Sequence, residues 1–97
     1  MHVISKTKLV EFWSKYPDAE APLCAWLRLA RKHEFLNFAE LKAIFGSVDS
    51  VGNLFVFDIG GNKFRLVAAV HFNRKKVFIR AILRHADYDR GKWRNDL

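Results

Sequence analysis

Residues 54–84 read LFVFDIGGNKFRLVAAVHFNRKKVFIRAILR, and this stretch decides the fold. Leu54 to Ile59 is rich in β-branched and aromatic residues, and Gly60-Gly61-Asn62 supplies a strong turn signal. A second run follows from Lys63 to Phe72, the polar residues Asn73 to Lys75 turn the chain again, and a third run reaches about Arg84. Three such runs joined by short turns predict an antiparallel meander. In the second run Phe64, Leu66, Ala68 and Val70 point one way, and Lys63, Arg65, Val67 and Ala69 the other. Continued without interruption, the same alternation sets Val77, Ile79, Ala81 and Leu83 against Phe78, Arg80, Ile82 and Arg84. Each strand then has one wholly apolar face that needs a cover, while the opposite face carries arginines.

The cover is found upstream, where apolar residues fall at helical rather than alternating spacing. His2 to Ser5 suits a short opening strand. Ser5 or Thr7 is placed to cap a helix running to about Lys15, with Leu9, Phe12, Trp13 and Tyr16 along one side. Pro17-Asp18 breaks the chain, and Asp18 is placed to cap a second helix to about Lys32. Leu23, Trp26, Leu27 and Ala30 form its packing stripe, with Arg28, Arg31 and Lys32 outside it or at its edge. Asn37 and Glu40 are spaced as a capping pair for a short third helix ending at Gly46. After the last strand, His85 to Trp93 is polar and short, compatible with a terminal helical turn. The expected class is α+β: a single domain over residues 1–97, with N-terminal helices on one face of a twisted antiparallel sheet and a short C-terminal helical segment.

Composition agrees with a packed domain of modest stability. The 97 residues are 51% hydrophobic and 14% aromatic, with nine Phe and three Trp, far from the make-up of disordered chains. Seventeen Lys and Arg against ten Asp and Glu leave a net charge of +7, which favours polyanionic partners: nucleic acid, an anionic membrane surface or an acidic protein. Cys24 is the single cysteine and lies in an apolar helical stretch, so it reads as a buried structural thiol and no internal disulfide can form. The opening MHVISKTKLVEFW lacks a long apolar core and a small-residue cleavage site, so no secretory leader is expected. Nothing approaches membrane-spanning length, and the expected location is the cytoplasm. The four histidines, His2, His33, His71 and His85, are dispersed without metal-ligand spacing, so neither a metal site nor a cofactor is expected.

Charged side chains at strand centres are costly to bury and require an explanation. Arg65 and Arg80 either pair with a carboxylate or reach solvent at the sheet edge, or, on one face of neighbouring strands with Lys63 nearby, cradle a phosphate.

The runs VGNLFVFDIGGNKFRLVAAVHF and KKVFIRAILRHADYDRGKW resemble the sheet and C-terminal segment of HigB-type toxins of the RelE-like superfamily. MHVIS, PDAEAPLCAW and NFAELKAIF extend the resemblance over most of the chain, and GGNKFRL, VFIR and HADYD in that order are its most specific pieces. The resemblance implies a compact RelE-like fold and a toxin that cleaves mRNA, commonly on the ribosome. It also implies a neighbouring antitoxin, usually a helix-turn-helix protein, and with it the prospect of a higher-order toxin–antitoxin assembly. Cleavage of RNA without metal uses the 2′-hydroxyl as nucleophile, so a base, an acid and stabilisers of the phosphorane charge are needed. Arg65 and Arg80 suit the charge, and His85, Tyr88 and Asp89 follow the last strand closely enough to converge on the same face. His85 reads as acid or base, or as a loop histidine bonded to backbone. Tyr88 stacks on a base, donates a proton or covers the sheet edge, and Asp89 orients His85 or pairs locally. Lys63, Arg74, Arg84 and Lys92 are candidates for holding RNA backbone. A non-catalytic basic RNA- or ribosome-binding module and a protein-interaction domain share the same charge pattern and remain alternatives.

Overall fold

The computed structural model describes residues 1–91 and 93–96. A short strand, β1 (His2–Ile4), leads into helix α1 (Thr7–Lys15), a 3-10 turn at Pro17–Ala19 and helix α2 (Glu20–Lys32). Helix α3 (Phe38–Ile44) precedes strands β2 (Asp49–Val51), β3 (Leu54–Ile59), β4 (Phe64–His71) and β5 (Lys76–Arg84), and helices α4 (His85–Asp89) and α5 (Trp93–Asp96) end the described chain.

The strands form one sheet in the order β1-β5-β4-β3-β2. From β2 to β5 every pairing is antiparallel, as the meander predicts, but β1 runs parallel to β5 through the pair Val3↔Val77. The sheet is therefore mixed rather than antiparallel throughout. The difference arises because β1 reaches β5 across the whole helical region, and a long connection leaves strand direction free where a tight turn would fix it. The short β2, with its polar Asp49 and Ser50, carries no clear strand signal in the sequence and adds the far edge.

At the first turn of the meander, Gly60 and Gly61 adopt φ of 63° and 70°, the left-handed region that glycine enters without steric cost. This sets Ile59 opposite Phe64 and Asp58 opposite Arg65. The second hairpin contains an irregularity that sequence alternation could not foresee. Val67 pairs with Ala81 but Ala68 pairs with Ile79, so Arg80 is an extra residue in β5, a β-bulge. Alternation changes phase there. Val77, Ile79 and Ile82 pack toward the helices, while Ala81 and Leu83 turn to the opposite face. The expected common face of Arg80, Ile82 and Arg84 is thus broken: Ile82 belongs to the core beneath the helices, and the Arg84 guanidinium lies over the Tyr16 ring at 5.7 Å.

The main core lies between the helices and the sheet, around Leu9, Leu23, Leu41, Leu66 and Val77, all at most 2% exposed. Trp26 meets Phe57 edge-on at 5.5 Å and Phe12 meets Phe64 likewise at 5.3 Å, tying α2 and α1 to the sheet. On the other face α5 brings Trp93 onto Val56 and Val67, where Tyr88, Ala81 and Leu83 complete a smaller core. β4 is consequently buried from Phe64 to Ala69, including Arg65. Cys24 is half-buried rather than fully buried, because it lies at the margin of the packing stripe.

Helix ends differ in how they are satisfied. Lys6, not Ser5 or Thr7, occupies the α1 N-cap with no side-chain bond, and Ser5 takes a positive φ of 74°. Asp18 is drawn into the 3-10 turn, so Ala19 becomes the α2 cap without a side-chain bond. At its other end the Met1 ammonium donates to the carbonyls of Ala30 (2.8 Å) and His33 (2.6 Å), groups that the end of a helix leaves unpaired. Only at α3 does the expected pair form as read. The Asn37 side chain accepts from the Glu40 amide at 3.0 Å, and the Glu40 carboxylate accepts from the Leu36 amide at 3.0 Å.

These two kinds of contact should separate cleanly in urea unfolding. Asn37→Ala removes one cap and should cost about 1 kcal/mol, whereas Leu66→Ala opens a cavity beneath the helices and should cost about 2–5 kcal/mol. Equal losses would contradict the placement of Leu66 at the centre of the core.

Candidate active site

Of the arginines singled out in the sequence, Arg65 and Arg84 have carboxylate partners, while Arg74 and Arg80 enter no ion pair among the described residues. Arg65 projects from β4 onto the face away from α1–α3, and only 9% of it is exposed. Its Nε lies 3.1 Å from Asp58 Oδ1, and its Nη1 donates to the Phe64 carbonyl at 3.0 Å. The carboxylate answers the cost of burying this guanidinium in a strand centre, so the pairing reading holds for Arg65. Arg84, displaced toward the helices by the bulge, donates from Nε to Asp87 Oδ2 at 2.9 Å. That hydrogen bond holds the Asp87 carboxyl below the usual carboxylate range, against an opposing desolvation effect, with further help from the Arg84 charge.

Arg80 differs from both. It is exposed at the bulge, and its guanidinium takes part in no ion pair among the described residues. Its carbonyl accepts from Lys8 Nζ at 3.1 Å, which occupies the β5 edge beyond the last β1 pair, Ile4↔Phe78. The Arg80 side chain borders a cleft of about 680 Å³ between the β2–β3 hairpin and α5, where Asn53, Leu54, His71, Trp93 and Arg94 also contribute.

The C-terminal segment builds a stack across this face. Tyr88 lies with its ring 5.8 Å from the Arg65 guanidinium, and Trp93 stacks on Tyr88 at 5.2 Å with an interplanar angle of 18°. Trp93 Nε1 donates to the Tyr88 carbonyl at 3.1 Å, and Arg94 lies over the Trp93 ring at 5.4 Å. Two cations therefore sandwich two aromatic rings, an arrangement favoured by the ring quadrupoles. Asp58 and the stack together fix the Arg65 and Tyr88 side chains before any ligand arrives.

His85 and Asp89 are one helical turn apart on α4, with His85 Nδ1 3.4 Å from Asp89 Oδ2 and both side chains about half exposed. The His85 amide donates to the Lys63 carbonyl at 3.0 Å, which fixes the start of α4 to the β3–β4 turn. A carboxylate on Nδ1 leaves Nε2 available for proton exchange, the usual division of labour in an oriented imidazole. His85, Tyr88 and Asp89 thus share α4, but the cleft beside Arg80 is not lined by any of them. Arg65 faces Leu83 across the strands, about 10 Å along β5 from Arg80, and His85 lies about 16 Å from Arg80 by strand rise. Arg65 and Arg80 thus stand at different heights along the same face, with His85 at the end farther from Arg80.

The RNA-binding candidates do not form one patch. Lys63 is exposed at the His85 end of the sheet, and Arg74 is exposed in the β4–β5 turn at the other, about 25 Å away along β4. Arg84 is engaged by Asp87, and Lys92 lies outside the described residues. Among the described residues no three His, Cys, Asp or Glu side chains converge as a metal-ligand group. No helix among them is long and apolar enough to cross a membrane.

Sequence reasoning did not single out Asp58, Asn53, His71 or Arg94 for this site. Asp58 was within reach: counting outward from the Gly60-Gly61 turn puts it opposite Arg65. Trp93, at the end of the polar segment that follows β5, packs on the body of the protein at 6% exposure.

Known proteins resemble this chain in sequence over most of its length. An mRNA interferase toxin HigB of Escherichia coli is 37% identical over 92 residues, covering 92% of this chain and 88% of its own length. The mRNA interferase HigB of Shigella flexneri gives the same figures, 37% over 92 residues. An mRNA interferase HigB from another Escherichia coli strain is 32% identical over 93 residues, covering 93% of this chain and 90% of its own. The profile of the HigB toxin family, the RelE-like toxic component of a toxin–antitoxin system, matches residues 19–91, from the end of the 3-10 turn through α4, and the chain belongs to that family.

Proposed function

We propose that this chain is an endoribonuclease that cleaves messenger RNA on the translating ribosome and is held in check by a cognate helix-turn-helix antitoxin in the cytoplasm. The observation that carries the reading is Arg80: an exposed guanidinium without a carboxylate partner among the described residues, on the sheet face opposite α1–α3, in a chain whose relatives are named mRNA interferases.

In this mechanism the substrate's 2′-oxygen attacks the adjacent phosphorus, the bond to the 5′-oxygen breaks, and the products are a 2′,3′-cyclic phosphate and a 5′-hydroxyl. Arg80 offsets the charge that builds on the phosphorane, with Arg65 held ready beside it by Asp58. His85, oriented by Asp89, takes the proton from the 2′-hydroxyl, and Tyr88 donates one to the departing 5′-oxygen. The scheme uses no metal, since fixed guanidinium charge does the work a metal would otherwise do. Lys63 and Arg74, at opposite ends of the sheet, hold RNA backbone on either side; Arg84 and Lys92 contribute to the chain's net charge of +7. An antitoxin that neutralises this face would complete a higher-order toxin–antitoxin assembly.

A second reading draws on the saturation of Arg65 and Arg84 by carboxylates. On that reading the chain binds ribosomes or RNA through charge without cutting. Induction in bacteria, with mapping of new mRNA 5′ ends alongside ribosome pelleting, separates the two: binding with intact messages supports the module.

Four outcomes are expected on the enzymatic reading. Arg80→Ala should melt within a few degrees of the parent and lose about a hundredfold in cleavage rate; a folded Arg80→Ala variant that cuts normally removes Arg80 from the chemistry. Arg65→Ala should lose activity and also melting temperature, because it leaves Asp58 without its partner. The double change His85→Gln, Tyr88→Phe should abolish new 5′ ends while ribosome pelleting persists, and full cleavage by that folded variant would leave the arginines to act alone. Chelation of divalent ions on a ribosome-free substrate should spare cleavage, and activity that is lost and then restored by added metal counts against the metal-free scheme.

A further inference from the structure

The mechanism above uses Arg80 and the Arg65–Tyr88–His85 end of the face, and it leaves the far side of the cleft, with Asn53, His71 and Arg94, without a role. We propose that this cleft is a base-reading subsite that takes one nucleotide of single-stranded RNA flanking the cut bond, with Asn53 as the residue that determines base preference. The proposal rests on the reading of the chain as an RNA-cleaving toxin and adds where and how the message is read.

Charge is the first support. Arg80, Arg94 and His71 line the cleft, and among the described residues no carboxylate lines it and none of the three enters an ion pair. That is the arrangement a phosphate needs and an acidic neighbour would spoil. Shape is the second. The volume, about 680 Å³, falls in the range of pockets that hold small-molecule ligands, roughly 300–1,000 Å³, and suits a single splayed nucleotide rather than a helix. Leu54 and Ala69 give it an apolar floor against which a base can lie.

The third support is what Trp93 cannot do. One face of its ring is covered by Tyr88 and Arg94 stands over it, so the indole is a wall and not a free stacking platform. Recognition of the base therefore falls to a polar side chain at the rim. Asn53, exposed in the β2–β3 turn, offers an amide donor and a carbonyl acceptor together, the pattern that pairs with a base edge. Arg80 marks the boundary: the cut bond lies on its Arg65 side and the read nucleotide on its Arg94 side, the latter's phosphate held by Arg94 and, when protonated, by His71.

The test is a nuclear magnetic resonance titration of the full chain with 2′-O-methyl RNA tetranucleotides of A, C, G or U, whose blocked 2′-hydroxyl prevents cleavage. Binding should shift the amides of Gly52, Asn53, His71 and Arg94, with affinities that differ by about fivefold or more between the four sequences. Arg94→Gln should weaken all four alike and lower the slope of log affinity against log salt by about 0.7. Asn53→Ala, or Asn53→Ser should the first variant melt early, should erase the spread between sequences. Absence of binding, shifts that spare the four amides, or a base preference that survives the loss of Asn53 would each overturn the subsite. Cleavage of messages by the parent is scored separately: a parent that binds in the cleft but cuts nothing ends the enzymatic reading and keeps the subsite. A parent that cuts but binds elsewhere does the reverse.

Discussion

The extra residue in β5 at Arg80 governs how charge and apolar surface are shared between the two faces of the sheet. Upstream of it, Val77 and Ile79 serve the core beneath the helices; downstream, Ala81 and Leu83 serve the opposite face, where they meet Val67 and Tyr88. Without the phase change Ala81 and Leu83 would crowd under α1, Ile82 would be left facing the C-terminal segment, and Arg84 would join Arg80 instead of reaching Asp87. A bulge also leaves a carbonyl out of register, and Lys8 donates to the carbonyl of Arg80 itself at 3.1 Å. The same irregularity that costs a ladder pair thus leaves at an open cleft a guanidinium with no ion pair among the described residues, a local departure from regular geometry of the kind expected at functional positions.

Electrostatic satisfaction then separates residues that look alike in sequence. Arg65 and Arg80 both sit in strands among apolar neighbours, yet Arg65 is 9% exposed and bonded to Asp58, while Arg80 is exposed. A buried arginine without Asp58 would face the full cost of desolvation, several kcal/mol by general estimates, and the strand would not tolerate it. An exposed arginine bears little of that cost and keeps its donors for a ligand. The difference bears directly on mutagenesis, because loss of activity at Arg65 mixes chemistry with stability and loss at Arg80 does not.

Much of this architecture is legible in the sequence where the signal is local. Gly60-Gly61 fixes the first hairpin, the stripe Leu23, Trp26, Leu27 and Ala30 fixes the buried side of α2, and Asn37 with Glu40 fixes the start of α3. What escapes is non-local. The direction of β1 depends on a partner some seventy residues away, and the bulge depends on how two strands fit rather than on either strand's composition. Asp18 and Ser5 have the right chemistry for caps but lose to the geometry of a 3-10 turn and a positive φ. For the site, the residue types and the face of Arg65 and Arg80 could be read. The cleft could not, because Asn53, His71 and Arg94 come together only once the β2–β3 hairpin and α5 flank the same end of the sheet.

The C-terminal segment joins stability to function. A fold built from so few residues buries a limited share of its surface, so covering the second face of β4 with Trp93 and Tyr88 matters to its stability. That cover is held by side-chain stacking and one indole hydrogen bond rather than by a long helix: α4 has five residues and α5 four. Helices this short have little stability of their own, so their position depends on Val56, Val67 and Arg65 beneath them. Conversely, Tyr88 keeps its place over Arg65 only while Trp93 remains packed. The same contacts that close the small core therefore also preorganise the face opposite α1–α3, and a substitution at Val67 or Trp93, with no titratable group changed, should displace Tyr88 and Arg65 through packing alone.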